Sequence, residues 1–245
     1  MKRVLLSLAV GLLVCGTEIA RSADKQAARS SKEALQAFQD LIGPWKATGE
    51  PQVGTPQERK RNFWIEKMSW EWQFKGDDAW LKVAFEEGKY FAKGELRYLP
   101  DKDHYQLTLH TLDKEAFSFT GALKKDQMIL ERSDDKKNET QRLVFTFLHA
   151  NRFLYRYEVK AKDKADFAPL YKVGVTKTDV PFAGPGDNRP ECVVSGGLGT
   201  MPLMHKGQTY YVCCSGCREA FRDDPEKYIK EYEEAKKKKA KEKGQ

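Results

Sequence analysis

From Trp64 to Phe74 five large apolar side chains fall on even positions, Trp64, Met68, Trp70, Trp72 and Phe74, with Lys67, Ser69, Glu71 and Gln73 between them. Side chains of an extended strand point alternately to its two faces, so this spacing writes one buried face and one wetted face. The pattern continues in segments near 79–85, 89–99, 105–112, 116–122, 128–131, 142–149, 153–160 and 170–176. Turn-forming breaks separate them, among them Lys75-Gly76-Asp77-Asp78, Glu87-Gly88, Lys124-Lys125-Asp126 and Ala150-Asn151. About nine short strands with no helix between them imply an antiparallel meander. So long a meander exposes two edges unless it closes on itself, and an up-and-down barrel is the closed solution.

A short amphipathic helix is expected just before the strands, about Lys32 to Leu41, with Leu35, Phe38 and Leu41 at helical spacing. Gly43-Pro44 stops it and Trp45 opens the strand series. A helix followed by Gly43-Pro44-Trp45 at the first strand resembles the Gly-x-Trp signature of lipocalins and the wider calycin group. The resemblance covers residues 33–178 and implies a calycin-like barrel with the tryptophan packed across one end. Such an interior can be filled by its own side chains or can hold a small apolar ligand. Trp64, Trp70, Trp72, Phe85, Phe91, Phe145, Phe147, Tyr155 and Tyr157 supply the bulk to fill it. His149 lies in alternating register with Leu143, Phe145 and Phe147, and some calycin-like proteins hold haem through one such histidine.

The ends read differently. Lys2 and Arg3 precede the apolar run Val4 to Val14, and Ala20-Arg21-Ser22 suits a signal peptidase. Residues 1–22 are therefore expected to be a signal peptide, with a periplasmic or secreted mature chain. An uncleaved anchor, or lipidation at Cys15, is the rival. No later segment is apolar enough to span a bilayer, so no transmembrane segment is expected after cleavage. The formal charge of +7 misleads, because residues 1–22 carry +2 and residues 236–245 carry +5, leaving residues 23–235 neutral. A nucleic-acid partner, which needs a basic face to displace phosphate counterions, is not expected. The lysine-rich tail, residues 233–245, reads as a solvated helix end.

Cysteine placement bears most directly on function. Apart from Cys15, all four cysteines lie between 192 and 217, and the 168 residues from Asp24 to Glu191 contain none. Disulfides that staple a large secreted domain would be spread across it. Clustered cysteines serve one local site. They sit beyond a Pro/Gly-rich segment, residues 179–190, in which neither a helix nor a central strand can form. A small unit, residues 191–232, follows. Its His205-Lys206-Gly207 reads as a hairpin turn into the strand Tyr210-Tyr211-Val212, and Cys217 falls in the first turn of a helix. Asp224 then caps a second helix that begins at Pro225. Turn-delivered thiolates build zinc-type sites in small units, where the ion stands in for a core too small to form.

Cys192 and Cys213 enclose twenty residues, Cys213 and Cys217 are four apart, an aromatic strand precedes them and Phe221 and Asp224-Pro225-Glu226-Lys227-Tyr228 follow. This arrangement closely resembles the YHS domain and the related TRASH modules. The resemblance implies a treble-clef or zinc-ribbon-like fold that senses, carries or handles heavy metals. Two positions depart from the pattern: Val193 stands where a proline is usual, and Ser195 where four-cysteine members have a second cysteine.

Cys192, Cys213 and Cys217 are thus the candidate metal ligands, leaving a tetrahedral ion one ligand short. Cys214 or His205 would complete the set, or the position stays open, which suits metal transfer. Thiolates select copper(I) or zinc over calcium or magnesium. A disulfide among these cysteines competes in an oxidising compartment. The barrel region shows no paired carboxylates, nucleophile elbow or phosphate loop, so the expected function is non-catalytic binding of copper or zinc. The alternative is a small apolar ligand or haem in the barrel, with the cysteine unit structural or redox-active.

Overall fold

The computed structural model describes residues 29–178 and 190–243. The expected signal peptide, and the Pro/Gly segment apart from Pro190, lie outside them. Ser30 caps α1 (Ser31–Leu35) through a capping box with Glu33, and a 3-10 turn, Gln36–Leu41, carries the chain to β1 (Gly43–Pro51). The strands that follow are β2 (Trp64–Lys75), β3 (Asp78–Glu86), β4 (Phe91–Leu99), β5 (His104–Thr111), β6 (Ala116–Lys124), β7 (Gln127–Asp134), β8 (Glu139–His149), β9 (Arg152–Ala161) and β10 (Ala168–Lys177). Each pairs antiparallel with its neighbour, and β1 pairs with both β2 and β10. The meander closes into a ten-stranded barrel without an edge. This fits the calycin-like expectation.

One expectation needs correction. A helix does interrupt the strands: α2 (Pro56–Arg61) lies between β1 and β2. It has six residues and buries none, so it carries no apolar periodicity. Thr55 and Glu58 form a capping box around Pro56 at its first turn.

The inward faces fill the barrel. Trp72, Leu81, Leu96, Phe119, Met128 and Leu130 are completely buried. Each such side chain contributes roughly 1.5–3 kcal/mol relative to exposure. A cavity inside the barrel, between Met68, Trp70, Val83, Phe91 and Phe145, is about 20 Å³. That is room for about one water molecule and not for haem or an apolar ligand. His149 does not face this interior. A register shift between Phe147 and His149 turns its ring outward, where Nδ1 accepts from the Asn151 amide at 3.3 Å.

The 3-10 turn and α1 plug one end of the barrel. Phe38 packs edge-on against Tyr105 at 5.0 Å, and the Tyr105 hydroxyl donates to the Ala34 carbonyl. Trp45 packs against Phe153 and donates from its indole to the Leu41 carbonyl at 2.6 Å. At the start of β2 a buried carboxylate, Glu66, accepts from Tyr155, Trp64 and the Lys89 amide.

Residues 190–243 pack on the plugged end. They comprise the hairpin β11 (Met201–His205) and β12 (Gln208–Val212), then α3 (Ser215–Asp223) and α4 (Pro225–Lys243). Lys206 and Gly207 both have positive φ, as a two-residue hairpin turn requires. Among the described residues, Lys227 bonds to Asp77 and Lys32 to Glu231, while Phe74 meets Tyr228. The buried side chains of this unit and of the barrel form one hydrophobic cluster.

Candidate metal centre

The cysteines arrive from two segments. Cys192 is bridged to Tyr211 in parallel, and its amide bonds to the Gly197 carbonyl at 2.6 Å, so the chain before the hairpin lies beside β12. Cys213 follows the last residue of β12, Cys214 is the N-cap of α3, and Cys217 sits in the first turn of α3. The cap is a cysteine whose side chain makes no capping hydrogen bond. The first turn is held instead by packing, since Gly216, Cys217, Ala220 and Phe221 are buried.

The sulfurs of Cys192, Cys213 and Cys217 lie within 4.8 Å of one another. Cys213 and Cys217 are 3.5 Å apart. Thiolates bound to one zinc at 2.3 Å stand ~3.8 Å apart in a tetrahedron, so the spacing fits a single ion. Cys192 and Cys217 are fully buried, while Cys213 keeps some exposure. Among the described residues, all four cysteines are free.

Protons are shared among the sulfurs. Hydrogen bonds from Cys213, then from Cys217, hold the Cys192 thiol well below its ordinary value. Cys213 is pushed up because it donates to Cys192 and Cys214, and Cys217 is pushed up first by burial. Cys214 is held down by its bond from Cys213. Negative charge is thus favoured on Cys192 and Cys214 while Cys213 and Cys217 hold their protons and donate, and a soft cation would take the place of those protons.

Neutral donors surround that charge. The Ser195 amide points at Cys192 Sγ at 3.4 Å, and the Ser195 hydroxyl lies 3.4 Å from Cys213 Sγ. Gln39 Nε2 is 3.9 Å from Cys213 Sγ. Gln39 belongs to the 3-10 turn under the barrel, and no sequence signal links it to cysteines 174 residues away. Ser195 was visible only as a departure from the four-cysteine pattern.

The two candidates for a fourth ligand are placed differently. Cys214 Sγ is 3.9 Å from Cys213 Sγ but stands outside the group of three. His205 is not gathered with the sulfurs: its Nε2 meets Glu226 Oε1 at 3.0 Å and its ring packs against Phe221. The cause is the hairpin. His205 pairs with Gln208 at the turn, and Cys213 lies at the far end of β12. At about 3.3 Å per residue that separation is ~16 Å.

Compared with protein-family models and with curated proteins, the chain matches none. The geometry points to function: three clustered thiols, two buried and Cys213 half-buried, from segments twenty residues apart in sequence, could hold one metal ion.

Proposed function

We propose that this chain is an exported, non-catalytic protein that binds a soft heavy-metal ion, copper(I) or zinc, on the thiolates of Cys192, Cys213 and Cys217. The observation that carries the reading is the convergence of those three sulfurs within 4.8 Å in a largely buried setting. The likeness of residues 191–232 to YHS and TRASH modules supports the same chemistry. A tetrahedral ion on three sulfurs keeps one position open, which suits a carrier that takes up and releases its metal. In this reading the barrel is a rigid bed for the site, because its interior is occupied by its own side chains. The basic pair Lys2-Arg3 and the apolar run Val4 to Val14 support export.

The test is titration of the purified, reduced protein with zinc and with copper(I) against a chromophoric chelator. Cys192→Ser, Cys213→Ser and Cys217→Ser are each expected to lower affinity by orders of magnitude, since loss of one thiolate leaves the cation under-coordinated. Wild-type binding by the Cys192 and Cys217 variants would exclude the site. Metal binding only by the reduced protein, with a disulfide after oxidation, would show that the same sulfurs also close on each other.

A further inference from the structure

A second site lies on the outer wall of the barrel, away from the cysteines. β1, β10 and β9 run side by side there, and α2 arches over the end of β1. Between them is a groove of about 690 Å³. Small-molecule sites commonly occupy a few hundred to a thousand cubic ångströms. Five cations line it, Arg59, Lys60, Arg152, Arg156 and Lys172, against one carboxylate, Glu50. This stands out in a protein whose residues 23–235 carry no net charge.

The arrangement is poorly neutralised from within. Lys172 and Arg156 are direct cross-strand partners on β10 and β9, where like charges destabilise the pair. Lys172 meets Glu50 at 3.5 Å, and Arg156 uses its Nε on Glu158 at 2.9 Å. Arg59, Lys60 and Arg152 have no ion pair among the described residues. Arg59 Nε is buried without a hydrogen-bond partner, a group that costs free energy until something accepts from it. Gly174 lies between Thr48 and Leu154 on adjoining strands and adds no side chain to the floor, where only Leu154 Cδ2, at 3.7 Å, borders the space a β-carbon would take.

From the unpaired cations, the buried Arg59 nitrogen and the small residue at Gly174, we infer that this groove binds a small ligand with two or more clustered anionic oxygens, of phosphate or carboxylate type. Guanidinium groups suit such oxygens because they donate in a planar fork. A bound anion would also relieve the repulsion between Lys172 and Arg156.

The test is calorimetric titration of the full chain with inorganic pyrophosphate and, separately, with citrate, at low ionic strength where exposed charges are least screened. Saturable binding is expected. Arg59→Gln and Arg152→Gln should each weaken it about tenfold, the effect of losing one charge-assisted hydrogen bond. Arg152 is exposed, so its replacement keeps the test valid should the Arg59 variant fold poorly. Lys124→Gln, on β6 half-way round the barrel, makes the same charge change and should leave binding unaltered. Preference for pyrophosphate or for citrate would assign the oxygen chemistry. Absence of binding by both probes, or equal weakening by Lys124→Gln, would overturn the site.

Discussion

The indole N–H of Trp72 donates to the Gln39 amide oxygen at 3.0 Å, and this fixes the same amide with its nitrogen toward Cys213 Sγ, 3.9 Å away. Trp72 is fully buried on β2, so a barrel strand sets the orientation of a donor to the cysteine cluster. Groups that orient ligands tune metal affinity even when they do not touch the ion.

Gln39→Leu removes both interactions at similar size. The Trp72 N–H is then left without a partner, which costs about 1–3 kcal/mol of stability. Affinity for zinc or copper(I) should fall about tenfold or more, as for other losses around ligating groups. Gln39→Glu keeps the acceptor for Trp72 but places an acidic oxygen beside the sulfur, so it should retain stability and still bind metal more weakly. Chelator competition and thermal melts on both variants check this. Wild-type affinity in both would mean that the amide does not act on the sulfur.

A β-carbon added at Gly216 would lie 1.6 Å from the Trp72 carbonyl oxygen, so only glycine lets α3 approach β2 this closely. Ser215 and Glu71 bond across the same seam at 2.9 Å. Gly216→Ala must push α3 away, and it should cost about 1–3 kcal/mol or more. Because Cys217 is the next residue, metal affinity should fall with stability. Barrel and cysteine unit also share a hydrophobic cluster, so metal bound to one stabilises both. At a thousandfold excess over Kd that is about 4 kcal/mol. A single melting transition that rises with added metal is expected. A barrel transition indifferent to metal and to Gly216→Ala would show that the seam is energetically slack.

The strands were legible because residues such as Trp70, Trp72, Leu81 and Val83 alternate with polar ones, and alternation is a local property. β1 was marked chiefly by Trp45, since its other inward residues, Ala47 and Gly49, carry little apolar bulk. His149 was misplaced because one bulge flips the face of every residue beyond it. At the site, Cys192, Cys213 and Cys217 stood out through spacing. Gln39, Trp72 and Gly216 did not, because their roles arise from long-range docking that leaves no period in the chain. His205 looked available as a ligand until the hairpin set it at the end opposite Cys213.

Alkaline pH tests the barrel. Burial raises Tyr155 and Tyr171 well above the ordinary tyrosine value and raises Tyr157 as well; Glu66 adds to the effect on Tyr155. Unfolded tyrosines ionise near pH 10. With folded values above that, the three groups contribute stability that is fully present below pH 10 and is lost as pH rises toward the folded values. Phenolate absorbance and far-ultraviolet circular dichroism should therefore change together at high pH for these residues. Full ionisation of every tyrosine with the β signal intact would contradict the packing.

Ser195 offers the sharpest test of the metal centre. Its side chain is 2% exposed, and its hydroxyl lies 3.4 Å from Cys213 Sγ while its amide faces Cys192 Sγ. A sulfur in place of that oxygen would stand beside the other three and supply the fourth corner of a tetrahedron. Zinc prefers four ligands in its structural sites, so Ser195→Cys should tighten zinc binding by about tenfold or more and slow its release. Copper(I) is already served by soft thiolates, and its affinity should change less. The serine would then be what keeps the site open for exchange. Competition titrations and release rates for both metals, in reduced protein, measure the difference. Zinc affinity unchanged or lowered in Ser195→Cys would mean that residue 195 does not face the ion.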